Sequence, residues 1–223
     1  MRSAPAFIPF ATSVFAASVL AASMLASCAS APPAPSAESA RPASEARTFT
    51  SVIDGSPAPE FTLERALEPG TISLADLEGK PTVLIFGSCT CPPFVESLLN
   101  LNAIHRDYGD RVNFLLVYIR EAHPTDGGGA TIPNNRFKVA SPRTLDERKE
   151  LARQLDRAAR IRMPIVVDGM DDRMIELYRP WPNRIVVIDP RGVAVDSLPA
   201  GPRATTNGAV RLRSVLNQVL RNG

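Results

Sequence analysis

The chain has 223 residues, 44% of them apolar, with 25 basic against 23 acidic side chains and a formal net charge of +2. That is enough apolar content for one core of ordinary size once the N-terminus is set aside. The two signs of charge are interspersed and no basic stripe interleaved with aromatics occurs, which excludes nucleic acid as an expected partner.

Arg2 is followed by an alanine-rich apolar run from Ala4 to Leu25, the pattern of an export signal rather than of a folded element. The run ends in Leu25-Ala26-Ser27-Cys28, which resembles the bacterial lipoprotein box, where the cysteine is lipidated and becomes the new N-terminus. Simple cleavage after a small residue and retention of the run as a membrane anchor are the competing readings. On the lipoprotein reading, residues 1–28 are a signal peptide with Cys28 as the lipidation site. The protein is then exported and lipid-anchored at the periplasmic face of a bacterial cell envelope, with the membrane as a partner. Residues 29–48, with Pro32, Pro33, Pro35 and Pro42 among Ala, Ser and Glu, lack apolar content and read as a disordered tether. Residues 49–223 are the expected folded domain.

Within it, Pro57 to Leu63 alternates into a first strand, and Ile72 to Pro81 reads as a short strand, a turn and a break. Val83 to Phe86 is a continuous apolar strand of the buried parallel kind. Phe94, Leu98, Leu101, Ile104 and Tyr108 recur at three and four, predicting an amphipathic helix from Pro93 to Tyr108 ended by Gly109. Val112 to Ile119 is a second buried strand, so the order is strand, helix, strand. Residues 121–142 form a Gly- and Pro-rich loop at a strand end, a usual place for a site. Thr144 to Glu147 is a capping box opening a helix to about Ile161. A short strand at Ile165 to Val167 and a short helix from Arg173 to Tyr178 follow. Arg184 to Ile188 and Val193 to Ser197 flank Asp189-Pro190-Arg191-Gly192 as an edge hairpin, and a last helix runs from about Asn207 to Leu220.

With Cys28 assigned to lipid, two cysteines remain for chemistry, both in Phe86-Gly87-Ser88-Cys89-Thr90-Cys91-Pro92-Pro93-Phe94. This is a strand-to-helix turn. The unpaired N–H groups and partial positive charge of a helix N-terminus favour a thiolate over a thiol, and Pro92 suits a first turn where its missing N–H costs nothing. A pair of small hydrophobes closing a strand is the bland alternative.

The layout, a reactive cysteine after the first parallel strand with a closing hairpin and helix, is similar to the thioredoxin superfamily in its peroxiredoxin-like form. That resemblance implies an α/β fold: a mixed sheet flanked by helices, with an N-terminal β extension. Three blocks make it more specific: Phe86 to Phe94, Val117-Tyr118-Ile119-Arg120-Glu121-Ala122-His123-Pro124-Thr125-Asp126-Gly127, and Pro164-Ile165-Val166-Val167-Asp168 closely resemble the iodothyronine deiodinases. The resemblance covers roughly Pro57 to Leu220 and implies a thiol-dependent oxidoreductase. In that family the position of Cys91 is usually selenocysteine, the nucleophile that takes iodine from a phenolic ring; a thiolate can do the same displacement with a less polarisable sulfur. Cys89 resembles a resolving thiol, with an external thiol reductant as the alternative. Glu121 and His123 match the family motif, an imidazole being suited to polarise a phenol or deliver a proton. No cofactor is implied, and the partners are a small-molecule electrophile (aryl iodide, peroxide or disulfide) and the reductant. Gly128 and Pro142 stand where the family has tryptophan and a second histidine, residues that help hold an iodinated ring.

Thr90 and Pro182 complete the expected site as substrate-binding residues, Thr90 lying beside the nucleophile and Pro182 in a cis bond after Trp181, near Cys91. His105 reads as a solvated helix residue, Asp126 as a loop cap and Asp168 as a turn residue. A second function fits the same residues: a copper-binding thioredoxin-like chaperone using Cys89, Cys91 and His123, since thiolate and imidazole are good copper ligands.

Overall fold

Thr82 to Gly87 carries no charged side chain, and all six residues are buried, so this strand (β3) can only lie inside a sheet. The structure, a computed structural model, describes residues 54–127, 132–197 and 200–222. The expected signal run, Cys28, the tether and Gly128 lie outside the described residues. No helix among the described residues is long and apolar enough to cross a membrane.

Before β3 come two short strands, β1 (Thr62–Arg65) and β2 (Thr71–Ser73). After it come α1 (Pro92–Tyr108), β4 (Asn113–Tyr118), α2 (Leu145–Ala159), β5 (Ile165–Val167), α3 (Arg173–Tyr178), β6 (Arg184–Ile188), β7 (Ala194–Ser197) and α4 (Ala204–Asn222). The seven strands form one sheet in the order β2-β1-β5-β4-β3-β6-β7. β3, β4 and β5 are parallel, and β1, β6 and β7 run against their neighbours. The mixed α/β sheet with an N-terminal β extension is therefore as expected. The parallel strands end on one side of the sheet, where turns after adjacent strands meet.

Alternation along β3 and β4 divides the core. Val83, Ile85, Phe114, Leu116 and Tyr118 face a layer that includes α1, α2 and α4, whereas Leu84, Phe86, Leu115 and Val117 face a layer that includes α3. Both cysteines lie in the first layer.

Two boundaries differ from the periodicity. The segment expected as the first strand makes one isolated bridge, Pro57 to Val193, and the ladder begins only at Thr62. Pro57 and Pro59 cannot donate to a ladder, so the segment pairs instead through Gly55 and Ala58, whose N–H groups meet the carbonyls of Ala194 and Gly192 at 2.7 and 2.8 Å. The short strand at residue 72 ends at Ser73 and gives way to a turn as expected, Asp76 accepting from the Ser73 N–H at 2.8 Å and leading the chain into a 3-10 helix. The last helix begins at Ala204, one turn earlier than its apolar repeat suggests.

α1 and α2 start as their sequences dictate. Pro92 and Pro93 open α1 with Cys91 as its N-cap residue, and Phe94, Leu98, Leu101, Ile104 and Tyr108 are its buried stripe. At α2 the Thr144 hydroxyl accepts the Glu147 N–H at 3.2 Å, and the Glu147 carboxyl accepts the Arg143 N–H at 2.6 Å, a capping box displaced by one residue.

The β3–α1 junction is tight. A Cβ on Gly87 would lie 2.4 Å from the Phe94 ring, and that ring is fully buried. The last residue of the strand is therefore restricted to glycine so that the first turn of the helix can close over it. Gly87→Ala is expected to destabilise the domain by about 1–3 kcal/mol through this overlap. Thermal unfolding followed by circular dichroism should place its Tm several degrees below that of the parent chain; an unchanged Tm would mean the junction is not tightly packed.

Candidate active site

The turn after β3 and the turn after β4 are joined residue by residue. The Thr90 hydroxyl donates to Glu121 Oε2 at 2.5 Å, and the Thr90 N–H donates to the same oxygen at 3.0 Å. The Tyr118 hydroxyl donates to Glu121 Oε1 and accepts the Cys89 N–H at 3.2 Å. The Ala122 N–H reaches Ser88 Oγ at 3.2 Å, and the His123 N–H reaches Thr90 Oγ1 at 3.0 Å. Asn135, from the following loop, donates to the Thr90 carbonyl at 2.8 Å. Glu121 is only 6% exposed, so these donors replace the water its carboxyl would otherwise bind.

The two thiols have different surroundings. Cys89 is 0% exposed and its sulfur lies 3.6 Å from Glu121 Oε2, as a donor. Burial, and then the Glu121 charge, push its thiol well above the ordinary range. Cys91 is 1% exposed and accepts an N–H from Asn183 Nδ2 at 3.2 Å. Burial raises its thiol too, with the Phe94 N–H and the Asn183 amide pulling down and Glu121 adding a smaller upward push. Removal from water thus outweighs the helix terminus, and the turn does not by itself hold a preformed thiolate as the helix-start argument predicts. The cysteines are free and face different partners.

Six expected residues meet here: Cys89, Thr90, Cys91, Glu121 and His123 through the two turns, and Pro182 through its neighbour. The Trp181–Pro182 bond is cis, as expected, and the next side chain, Asn183, is the one that touches Cys91. Thr90 is fully buried with its hydroxyl, N–H and carbonyl all engaged, so it braces the site from behind instead of facing a substrate. The His123 imidazole is half-buried and makes no hydrogen bond among the described residues. Asp126 pins its loop, its Oδ1 accepting the Ser141 N–H and hydroxyl at 2.8 and 2.9 Å. Pro142 lies two residues before the α2 cap.

Two readings are corrected. His105 is not a solvated surface group: it is half-buried with its ring edge-on to Phe114 at 5.3 Å, and burial lowers its pKa. Asp168 stands in the turn after β5, as expected of it, and is fully buried there, its Oδ1 accepting the Met174 N–H of α3 at 3.0 Å. Its other oxygen has no partner among the described residues, and burial pushes the carboxyl up from 3.8 to about 7. The copper reading does not fit either, since no group of three His, Cys, Asp or Glu side chains among the described residues is arranged to hold a metal.

Ser88, Tyr118, Asn135 and Asn183 escaped the sequence reading. Tyr118 had a signal, a hydroxyl in an otherwise apolar strand, and so did Asn183, a polar residue directly after the proline expected near the thiol. Asn135 had none, because its role depends on how the loop returns over the turn.

Comparison with known proteins agrees with this geometry. A family model described as iodothyronine deiodinase matches residues 43–218. Thyroxine 5-deiodinase from Gallus gallus is 35% identical over 142 residues, 63% of this chain and 54% of that protein, and the Homo sapiens protein of the same name is 32% identical over 63% of the chain and 46% of its own length. The chain spans about half the length of these curated relatives. Among solved structures, the thioredoxin domain of a thiol-disulfide oxidoreductase from Bacteroides vulgatus superposes with TM-score 0.52 at 18% identity, covering 74% of this chain and 99% of that one. An uncharacterized conserved protein from Geobacillus kaustophilus gives TM-score 0.56 at 17% identity, covering 79% and 85%. The fold is thioredoxin-like.

The buried Asp168 carboxyl generates a pH prediction. Its folded pKa of about 7 lies above the ordinary 3.8, so between those values the native state keeps a proton that the unfolded chain has lost. Its contribution is complete below the unfolded value and disappears as pH rises through the folded one. Asp168→Asn, which keeps the acceptor for Met174, should therefore lose less stability than the parent chain between pH 5 and pH 8. Urea unfolding midpoints at the two pH values check this; parallel losses in both proteins would contradict it.

Proposed function

The chain belongs to the iodothyronine deiodinase family, and from that membership we propose that it is a thiol-dependent oxidoreductase whose Cys91 sulfur attacks a small, soft electrophile, an aryl iodide first among the candidates. The observation that carries the reading is Thr90: the residue between the two cysteines bonds both the Glu121 carboxyl and the His123 N–H, so the thiol turn and the acid–base loop form one rigid unit.

In the proposed reaction the Cys91 thiolate forms an S–I bond as the ring C–I bond breaks, and the ring carbon takes a proton. The ring is reduced and the sulfur is oxidised to a sulfenyl iodide. A reductant thiol then displaces iodide, leaving a mixed disulfide on Cys91, and a second thiol releases Cys91 as the free thiol, the two reductant thiols together supplying the two electrons and leaving as their own disulfide. His123 is our candidate for polarising the phenol or supplying the proton. Burial of Cys91 supports a small-molecule electrophile over a disulfide in a folded protein, which cannot reach a sulfur that is 1% exposed. Burial of Cys89 supports an external reductant: a thiol held protonated against Glu121 is a poor resolving nucleophile, and a one-residue spacing makes a strained disulfide. Export and lipidation at Cys28 belong to the same proposal, putting the enzyme on the periplasmic face of the envelope and its reductant in that compartment.

The test offers the purified protein an iodophenol and a peroxide in parallel, with a dithiol reductant, and follows iodide release against peroxide loss. Iodide release without peroxide consumption is expected. Cys91→Ser should abolish it and Cys89→Ser should leave most of it; full activity in Cys91→Ser would overturn the proposal, and peroxide consumption alone would move the protein to a different substrate class.

A further inference from the structure

Asn183 is the other polar group on the Cys91 sulfur, and its geometry is fully determined. The residue is 0% exposed, directly after the cis proline and directly before β6, which lies antiparallel to β3. Its Oδ1 accepts the Thr205 N–H at 2.8 Å and the Thr205 hydroxyl at 3.0 Å. Its Nδ2 donates to the Pro202 carbonyl at 3.1 Å and to Cys91 Sγ at 3.2 Å. A carboxamide has two N–H groups and two lone pairs, and all four are used. A backbone N–H can only donate, so Thr205 fixes which end of the amide is oxygen, and the nitrogen must face the sulfur.

The same contacts bring a second helix to the thiol. Thr205 is in the first turn of α4, and the Thr206 hydroxyl bonds the Pro93 carbonyl in the first turn of α1 at 3.2 Å. The remaining groups bearing on Cys91 are the Phe94 N–H from α1, which favours the ionised sulfur, and the Glu121 carboxyl from the end of β4, which opposes it. Among side chains, Asn183 therefore supplies the N–H that offsets part of the cost of ionising a buried sulfur.

We propose that Asn183 is a thiolate-stabilising residue of this site, its carboxamide locked by Thr205 at the start of α4 so that an N–H is aimed at the Cys91 sulfur before substrate arrives. This rests on Cys91 being the nucleophile and adds a residue outside the three sequence blocks that tie the chain to its family. An N–H donor to sulfur bonds the thiolate more strongly than the thiol, so losing it makes the sulfur harder to ionise without altering the turn.

The experiment is the pH dependence of Cys91 alkylation by iodoacetamide in the full chain, with the modified residue located by peptide fragmentation. Asn183→Asp keeps the oxygen that accepts both Thr205 donors and turns a second oxygen to the sulfur; Asn183→Ala removes the donor without adding charge. Both should raise the alkylation midpoint, by about one pH unit, or about tenfold less thiolate below it. Melting temperatures are read alongside, because a purely structural role lowers Tm and leaves the midpoint in place. Thr205→Val, which removes only the hydroxyl clamp, gives a smaller rise and supplies the answer should the Asn183 variants not fold. A midpoint unchanged in folded Asn183→Ala, even with a rise in Asn183→Asp, would overturn the proposal, since added charge alone would then account for the rise. Alkylation reports the sulfur's acidity independently of turnover, so an active Cys91→Ser enzyme would remove the nucleophile assignment without affecting this measurement.

Discussion

The Glu121 carboxyl sits almost out of water and accepts from the Thr90 N–H and hydroxyl, the Tyr118 hydroxyl and the Cys89 thiol. A buried acid is tolerated only when donors of this kind replace its hydration, and each donor here belongs to the thiol turn or to the strand leading into the acid's own loop. The rest of the site depends on this bond set. It fixes Thr90, Thr90 fixes the His123 backbone, and Asn135 closes over the Thr90 carbonyl. Removing the carboxyl would leave several buried donors without partners at once, at roughly 1–3 kcal/mol for each, and would release the turn from the loop.

The same carboxyl sorts the two cysteines. Cys89 donates to it and is held as a thiol, a structural partner of the acid. Cys91 turns the other way, toward Asn183 and the N-terminal turns of α1 and α4. The two neighbouring thiols thus have opposite polar partners, an acceptor for Cys89 and a donor for Cys91. Burial still raises the Cys91 thiol, so a sulfur at this depth has to be helped to ionise, and the Phe94 N–H and the Asn183 amide are the groups that oppose the cost.

Much of this was legible in the residues. The apolar run of β3, the three-and-four spacing of α1 and the prolines after Cys91 locate the turn, and the family-like block from Val117 to Gly127 brings Glu121 and His123 to it. Local pattern reaches as far as a turn and its neighbours. It does not reach Asn183, which is 92 positions from Cys91 in the chain and meets it only because β6 pairs with β3. It also misjudged the acidity of Cys91, since a helix N-terminus can be read from prolines while the depth of the sulfur depends on how Asn183, the start of α4 and the Asn135 loop close around it. The first strand failed for a simpler reason: alternation placed it at Pro57, but proline has no N–H to give.

The proposed chemistry requires that Cys91 carries the oxidised intermediate and that Cys89 does not resolve it. The direct measurement exposes the protein to an iodophenol for one turnover without reductant, adds a single equivalent of glutathione so that no second thiol is present to release the mixed disulfide, and maps the disulfides by peptide mass. A glutathione mixed disulfide on Cys91 with Cys89 free is expected, whereas a Cys89–Cys91 disulfide, or glutathione on Cys89 alone, would contradict it.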